Sequence, residues 1–271
     1  MPVLSTEADE VSVVIDVGRV PIRINSTHPG FFGILRDRYT GFVSASGEPA
    51  IEFNVELVEP LTDDPDADVE VAYSGRRWNI RRGDFRAEWD PGTRRGWIRQ
   101  TASPYAIDSV LRIVHSLVLA QQGGFLLHSA SAIRNGKALL FMGVSGAGKT
   151  TISSLAPANV ALLTDEISYV RPQNGQYIAF GTPFTGELAK LGENISAPIA
   201  AAYLLCKGPE NRIDPVERGE AARALLANTL FFANDQQLVQ AVFDSALHFV
   251  EKVSVSKLTF VPDARVWEFL P

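Results

Sequence analysis

A glycine-rich segment that ends in lysine and threonine constrains this chain more than any other feature. Residues 143–150 read Gly-Val-Ser-Gly-Ala-Gly-Lys-Thr and fit the pattern G-x-x-x-x-G-K-[ST]. The apolar run 138–142 precedes them, and a segment that can be helical follows. This order predicts a strand, a phosphate-binding loop and a helix, because small residues let backbone N–H groups surround a polyphosphate. The intact context disfavours the alternative, a glycine-rich turn that matches by chance.

The pattern gives the residues of this loop separate tasks in binding a nucleoside triphosphate. We expect the Lys149 ammonium to contact β- and γ-phosphate oxygens and the Thr150 hydroxyl to contact magnesium. The remaining nucleotide-binding groups are expected at Gly143, Ser145, Gly146, Ala147, Gly148 and Thr151. The sequence therefore predicts ATP and Mg²⁺ as ligands. The loop alone separates neither ATP from GTP nor one reaction from another.

Charge and composition narrow the partners and the location. A net charge of -6 and a pI near 5.3 argue against a nucleic-acid partner, since such proteins carry a basic excess. No apolar run approaches the roughly 18 residues of a membrane span, and the first ten residues are too acidic for a signal peptide. We therefore expect a cytoplasmic protein without membrane contact. The one cysteine, Cys206, permits no internal disulfide and is expected to be buried.

Two domains are predicted from the change in hydrophobic pattern along the 271 residues. Residues 11–100 contain short alternating runs separated by turn residues, which predicts antiparallel strands and a β-rich domain over 1–104. From Tyr105 apolar residues recur at helical spacing, and the second domain is placed over 105–271. Helices are also expected over 215–228 and 235–250.

Eight arginines and three of the four tryptophans fall within residues 76–99. The alternation predicts strands with one aromatic face and one arginine face. A solvated arginine face is the favoured interpretation, and an acidic peptide or phosphate ligand is the alternative. The aspartates at 63, 64, 66 and 68 are interpreted as a solvated loop, because the glycine and glutamate of a calcium-binding loop are missing.

An acidic pair and a histidine flank the glycine-rich loop at unusual spacings. Asp165 and Glu166 end the next apolar segment, sixteen residues after Lys149. If that strand is adjacent to the strand before the loop, Asp165 lies beside Thr150 and can hold magnesium, while Glu166 is a candidate base. His128 precedes Gly143 by fifteen residues, and a hairpin about Asn135-Gly136 would bring both to the same end. His128, Lys149 and Glu166 are therefore the predicted catalytic groups, with Thr150 and Asp165 as predicted metal ligands.

These residues carry a resemblance to a known class of enzymes. The stretch His128-Ser129-Ala130 is close to the His-Cys-Ser-Ala of phosphoenolpyruvate carboxykinase, and residues 143–153 resemble that enzyme's kinase loop. HPr kinase/phosphorylase shares the order of histidine, P-loop and acidic pair. The resemblance covers residues 105–271 and implies an α/β fold, a mixed-sheet P-loop kinase core of this type, preceded by a smaller β-rich N-terminal domain.

Departures from the family pattern refine that comparison. The HPr enzymes have an Arg-Gly-Leu-Gly signature after their acidic pair, whereas this chain has Gly-Thr-Pro-Phe-Thr-Gly-Glu over residues 181–187. That difference puts recognition of HPr and a phosphorylase reaction in doubt. The segment looks more like the stand-alone HPr-kinase-like proteins of bacteria, some of which modify peptide natural products. Glu166 replaces the second aspartate of the HPr enzymes.

Three charged residues outside these motifs have two interpretations each. Glu187 could bind a second metal or orient an acceptor, or it could begin a helix as part of a capped turn. Lys207 and Arg212 could neutralise charge on the transferred group, but exposed loop charges are the favoured interpretation.

The first functional hypothesis is a kinase that transfers the γ-phosphoryl group of ATP to a hydroxyl, most simply a serine of a small protein or peptide. An ATP-binding switch or scaffold without acceptor chemistry is the second, and a small-molecule kinase with the same core is the third. The sequence names neither the acceptor nor the oligomeric state, and a homo-oligomer stays open.

Overall fold

The computed structural model describes residues 11–44, 48–59, 67–185 and 192–271. The chain divides into two compact units, Met1–Val110 and Leu111–Pro271. Each unit contains a mixed sheet with helices, so the predicted α/β class is confirmed. The predicted boundary at residue 104 stays a prediction. So does the expectation that the β-rich domain over 1–104 binds the acceptor or a partner while the domain over 105–271 binds the nucleotide and catalyses transfer. Asp63, Asp64, Asp66 and Glu187 lie outside the described residues.

The described strands of the first unit form one sheet with the order β3-β1-β2-β4-β8-β7-β6-β5. Its elements are β1 (Val11–Val17), β2 (Val20–Ser26), α1 (Pro29–Arg38), β3 (Val43–Ser44), β4 (Ile51–Leu57), β5 (Glu70–Ser74), β6 (Arg77–Arg82), β7 (Phe85–Asp90) and β8 (Arg95–Gln100). The helix α2 (Pro104–Gln121) follows and continues into the second unit.

Two of these pairings are parallel, so the prediction of antiparallel strands throughout this region is wrong. β4 pairs in parallel with β2 on one edge and with β8 on the other. Parallel neighbours need a crossover connection, and α1 lies in the connection from β2 to β4. Local alternation predicts a strand but does not give its partner, which explains the error.

The two faces of this sheet differ as the alternation in residues 76–99 predicted, except that Trp97 lies on the arginine face and not on the aromatic face. Trp78, Ile80, Phe85, Trp89 and Ile98 are buried on one face. Most arginines of the other face pair with carboxylates: Arg77 with Glu88, Arg81 with Glu70, Arg95 with Glu52 and Arg99 with Glu56. The interpretation of a solvated arginine face is confirmed for these residues. Their charges are neutralised within the sheet, which removes the main argument for an acidic ligand there.

A buried acidic group ties two helices of the first unit together. The Asp108 carboxylate on α2 is 3% exposed and accepts hydrogen bonds from the Arg38 guanidinium and the Tyr39 hydroxyl. A buried carboxylate needs such partners, because an unpaired charge away from water is strongly destabilising.

The second unit contains the glycine-rich loop. Its elements are β9 (Phe125–Arg134), β10 (Lys137–Met142), α3 (Lys149–Ser154), β11 (Ala161–Thr164), β12 (Ile167–Gln173), β13 (Gln176–Phe180), β14 (Ser196–Lys207), β15 (Arg212–Pro215), α4 (Arg218–Ala227), β16 (Thr229–Leu230), α5 (Gln236–Lys252), β17 (Ser254–Phe260) and a 3₁₀ helix at Ala264–Phe269. Pairings run β10-β9-β12-β13-β14, and β14 pairs back with β10, so these five strands form a closed cycle.

The predicted helix over 215–228 is wrong at its start, because Pro215 ends β15 at the sheet edge, a position that proline tolerates.

The strand before the loop is buried on both faces. Ala138, Leu140 and Met142 belong to a core with α4 and α5. Leu139 and Phe141 belong to a second core with Ile152 of α3 and with the 3₁₀ helix. Side chains alternate between the faces of a strand, so burial on both sides requires the continuous apolar run seen in the sequence.

The hairpin between β9 and β10 brings His128 to the start of the loop, as predicted. Asn135 and Gly136 form its two-residue turn with φ angles of 52° and 73°. Both values are positive, which suits the tight turn that joins twisted antiparallel strands. Met142 pairs with Ser129, so His128 and Gly143 lie at the same end of the hairpin.

Candidate functional site

The loop at residues 143–148 joins β10 to α3 and depends on glycine at its last position. Gly148 has a φ of +112°, and a Cβ there would lie 2.6 Å from Cζ of Phe260. Both the backbone and the ring therefore require glycine. Within the loop the Ala147 N–H donates to the Val144 carbonyl at 3.0 Å. This turn places the N–H groups at the start of α3 beside the loop, where backbone donors favour anions.

The lysine of the loop is held by the loop itself. Lys149 is 8% exposed, and its Nζ donates to the Gly143 carbonyl at 2.8 Å. The side chain therefore runs back along the loop, and its charge lies close to the loop backbone. An ammonium in this position can contact phosphate oxygens bound by the same backbone.

Strand β9 lies between the loop strand β10 and the two strands that flank the acidic pair. β11 and β12 both pair with β9, so β9 separates them from β10. The condition under which Asp165 was predicted to lie beside Thr150, adjacency of its strand to β10, is therefore not met. A strand can pair with any neighbour that satisfies the backbone hydrogen bonds along its edge. The edge of β10 that the acidic strand would need is already paired with the hairpin strand β9. Whether Asp165 holds magnesium with Thr150 stays a prediction.

A threonine hydroxyl fixes the short turn that carries Asp165 and Glu166. Thr164 Oγ1 accepts hydrogen bonds from the N–H groups of Glu166 and Ile167, each at 3.2 Å. Such a turn orients the following side chains without regular strand pairing. Asp165 is 2% exposed, whereas the Glu166 side chain is 33% exposed. Glu166 is therefore the member of the pair that solvent reaches.

His128 and Glu166 form a contact that joins β9 to the acidic turn. Nε2 of His128 lies 3.3 Å from Oε1 of Glu166, and their side chains are 35% and 33% exposed. This hydrogen bond, with smaller contributions from the charges of His128, Lys149 and Arg112, holds the pKa of the Glu166 carboxyl below its ordinary value, against the effect of burial. Glu166 is therefore a carboxylate at neutral pH.

A single cavity of about 510 Å³ collects most of the predicted site residues. Its described lining residues are His128, Ser145, Gly146, Gly148, Lys149, Thr150, Thr151, Glu166 and Lys207. Gly143 and Ala147 belong to the loop but do not line this cavity, and the buried Asp165 is also absent from its described lining. The structure thus groups the predicted catalytic side chains around the glycine-rich loop.

Lys207 is exposed, in agreement with the favoured interpretation, but it also lines the cavity, and its role there stays a prediction. It ends β14, the parallel neighbour of β10, and the carboxyl ends of parallel strands share one sheet edge. Arg212, considered together with it, is exposed and pairs with Glu210 and Asp214. The apolar run 202–206 directly before Lys207 was the available signal, since it is typical of a buried strand.

Magnesium would find an oxygen ligand in this cavity. Thr150 lines it, and Mg²⁺ in nucleotide sites is usually held by few protein oxygens together with phosphates and water. Across residues 11–44, 48–59, 67–185 and 192–271 no cluster of three or more His, Cys, Asp or Glu side chains is arranged to hold a metal. Whether the cavity holds magnesium stays a prediction.

The segment after β13 is pinned to the acidic turn by backbone and side-chain hydrogen bonds. The Thr182 N–H donates to the Leu163 carbonyl at 3.2 Å, and its buried hydroxyl donates to the Ile167 carbonyl at 2.7 Å. Gly181 and Gly192 allow the close approach, because a Cβ at either would lie under 2 Å from a carbonyl oxygen. The described part of this segment thus supports the turn that holds Glu166.

We expect Thr182→Val to lower the free energy of unfolding by about 1–3 kcal/mol, because the isosteric side chain leaves the buried Ile167 carbonyl without its donor. Thermal and urea unfolding followed by circular dichroism measure this change. Thr182→Ser keeps the hydroxyl and is the matched control, expected to lose less than half as much. Equal stability of the valine variant and the wild type would contradict the supporting role.

The structure bears on two further predictions, the absence of a membrane span and the burial of Cys206. No helix in the described parts of the chain has both the length and the apolar character needed to cross a bilayer. Cys206 is a free thiol of intermediate exposure, so the expectation that it is buried is wrong. It lies directly before Lys207, at the carboxyl end of β14.

Comparison with known proteins places most of this chain in one family. Residues 99–270 match the model of the SynChlorMet cassette protein ScmC. No curated protein matches the chain. Among solved structures, the HPr(Ser) kinase/phosphatase from Coxiella burnetii matches at 12% identity and a TM-score of 0.25, over 45% of this chain and 87% of that one.

The matched family is not that of the HPr kinases, which the sequence motifs resemble, so membership in the HPr kinase group stays a prediction. The family model covers more than half of the chain and includes the glycine-rich loop, His128, the acidic turn and Lys207. The chain belongs to the SynChlorMet cassette protein ScmC family.

Proposed function

We propose that this protein is a Mg²⁺-dependent kinase that transfers the γ-phosphoryl group of ATP to a hydroxyl. The observation that carries the proposal is one cavity lined by the glycine-rich loop and by the contacting side chains His128 and Glu166. A nucleotide switch needs the loop but has no use for a paired imidazole and carboxylate beside it. Phosphoryl transfer needs alignment, charge neutralisation and a proton acceptor, and the cavity offers a group for each.

The nucleotide phosphates would bind the backbone from Gly143 to Gly148, and Lys149 would offset their charge. The Thr150 hydroxyl would hold magnesium, which neutralises developing charge on the phosphates when it is bound. Asp165 is buried outside the lining and would act on the metal through an intervening group or through Thr150. These assignments follow from the loop sequence and from the positions of the lining residues.

The Glu166 carboxylate would accept the hydroxyl proton while the acceptor oxygen bonds to phosphorus and the bond to the ADP oxygen breaks. The products are then a phosphoester and ADP, with the proton shared by Glu166 and His128. Because the His128 hydrogen bond lowers the pKa of Glu166, the carboxylate is ionised and available at neutral pH. The imidazole keeps the carboxylate in place.

A serine of a small protein or peptide is the acceptor that we propose. Both proton-handling side chains are about one third exposed, at 35% and 33%, so a hydroxyl carried on a polypeptide can approach them from solvent. The resemblance of residues 128–166 to HPr kinases supports the same class of acceptor. This protein and its acceptor would meet in the cytoplasm.

Incubation with γ-³²P-labelled ATP and Mg²⁺ tests the proposal, with the small proteins and peptides encoded beside this chain as candidate acceptors. Label on a seryl residue, located by mass spectrometry, is the expected result. Label only on a small molecule would support a small-molecule kinase instead. ATP binding without transfer to any candidate would favour a nucleotide switch.

The His128 contact predicts a measurable change in the titration of Glu166. In His128→Ala the largest cause of the lowered pKa is lost while burial, which raises it, remains. We expect the Glu166 pKa to move up, toward or above its ordinary 4.5, so that protonation begins at a higher pH than in the wild type. Carboxyl ¹³C NMR measures this pKa, and the spectrum of Glu166→Gln assigns the signal.

The exposed His28 of the first unit supplies the control, and His28→Ala is expected to leave the Glu166 titration unchanged. The stability that the ionised Glu166 contributes is present at neutral pH and is lost as pH falls through its folded-state pKa. An unchanged Glu166 titration in His128→Ala would contradict the contact.

A further inference from the structure

Lys207 is a second cation of the loop cavity with no role in the transfer just described. It lines the same cavity as Lys149 and Thr150. Within the described residues no salt bridge joins its ammonium to a carboxylate, and the nearby Glu210 and Asp214 pair with Arg212. An exposed ammonium beside a phosphate-binding loop can therefore accept an anionic ligand without first breaking an ion pair.

The strand order places Lys207 on the opposite side of the loop from the proton-handling pair. β10 has β9 on one edge and β14 on the other. His128 lies on β9, and Glu166 lies in the turn between β11 and β12, which pair with β9. Lys207 ends β14. The cavity therefore runs across the loop, from the side where a hydroxyl would be phosphorylated to the side of Lys207.

A packing contact connects Lys207 to the end of the loop where α3 begins. Lys207 pairs with Phe260 of β17. The Phe260 ring packs against Gly148, the residue before α3. The N–H groups at the start of that helix are the donors that a P-loop uses for the inner phosphates of a nucleotide. The pairing of Lys207 with Phe260 and the packing of Phe260 on Gly148 together fix the position of the Lys207 backbone relative to those donors.

We infer that Lys207 binds the diphosphate part of the nucleotide, which is not transferred, rather than the γ-phosphoryl group or the acceptor. This inference rests on the proposed function only in requiring a nucleotide in the cavity. Lys207 would then set the affinity for ATP and ADP equally. Lys149 and Glu166 would act on the transferred group.

Isothermal titration calorimetry of the full chain with ADP and with a non-hydrolysable ATP analogue, both with Mg²⁺, tests the inference. Lys207→Met is expected to weaken both ligands by the same factor, about tenfold, as the loss of one charge-assisted hydrogen bond. Lys207→Arg keeps the charge and should retain most of the affinity. Lys137→Met removes an exposed lysine from the opposite end of β10 and should change neither affinity.

The outcomes separate this inference from the kinase proposal. Unchanged affinities in Lys207→Met would overturn the inference, and a loss for the ATP analogue alone would move Lys207 to the γ-phosphate and overturn it as well. Wild-type protein that binds both nucleotides but transfers no phosphoryl group would count against the kinase and leave the Lys207 result standing. Wild-type protein that binds neither nucleotide would overturn both.

Discussion

Lys149→Ala is expected to reduce phosphoryl transfer by on the order of 10²–10³-fold, the loss typical of one positioned donor at a developing charge. The ammonium lies against the Gly143 carbonyl at 2.8 Å and is 8% exposed, so its position is set before any ligand arrives. A methyl group in its place leaves the phosphate charge without its nearest cation. Initial rates with labelled ATP measure the loss, and calorimetry with ADP and Mg²⁺ reports the accompanying loss of affinity.

The control for this variant is Lys137→Ala, which removes an exposed lysine from the amino end of β10, the strand before the loop. It is expected to keep both rate and affinity. Circular dichroism melting of both variants separates a lost contact from a lost fold. A Lys149→Ala protein that folds, binds ATP as tightly as the wild type and transfers phosphate at the same rate would overturn the nucleotide site.

Glu166→Gln is expected to reduce transfer by about 10²–10⁴-fold, the range for loss of a general base, while nucleotide affinity stays unchanged. The amide has the shape of the carboxylate and can still hydrogen-bond to His128, but it cannot take a proton from the acceptor. Single-turnover rates with saturating ATP isolate this step from binding. Glu193→Gln makes the same chemical change at an exposed carboxylate beside β11 and serves as the matched control.

Combining Glu166→Gln with His128→Ala tests whether the two side chains act as a unit. Groups that work on one proton are non-additive, so the double variant is expected to lose little more than Glu166→Gln alone. Full additivity of the two losses would mean that the 3.3 Å contact between them has no part in the transfer. Full activity of Glu166→Gln would remove the proton-acceptor assignment.

Much of the local structure was predictable because it depends on neighbouring residues. The apolar run, the glycines and the Lys-Thr pair at 138–150 predict a strand, a loop and a helix in that order, and β10 and α3 have those positions. The Asn135-Gly136 turn predicts the hairpin, since these residues tolerate positive φ angles. The helical spacing of apolar residues from Tyr105 predicts α2, because that spacing is also set by residues close together in the sequence.

Strand partners were not predictable in the same way. β4 pairs in parallel with β2 and β8, and β9 lies between β10 and the strands that flank the acidic pair. An alternating run has two edges that any compatible strand can satisfy, so sequence alone does not choose between them. The antiparallel interpretation of the first unit failed for that reason. The sequence likewise left open whether the acidic strand is adjacent to β10, and the structure shows that it is not.

The sequence by itself determined that this chain has a phosphate-binding loop, because Gly143 to Thr150 specify backbone shape, charge and hydroxyl within eight consecutive residues. It also placed His128 at the start of that loop through a turn of two residues. Only the tertiary structure decided that Glu166 contacts His128, that Asp165 is buried outside the cavity lining and that Lys207 faces the same cavity. Those relations depend on which strands pair across long stretches of chain, and long-range pairing is selected by burial of the whole sheet.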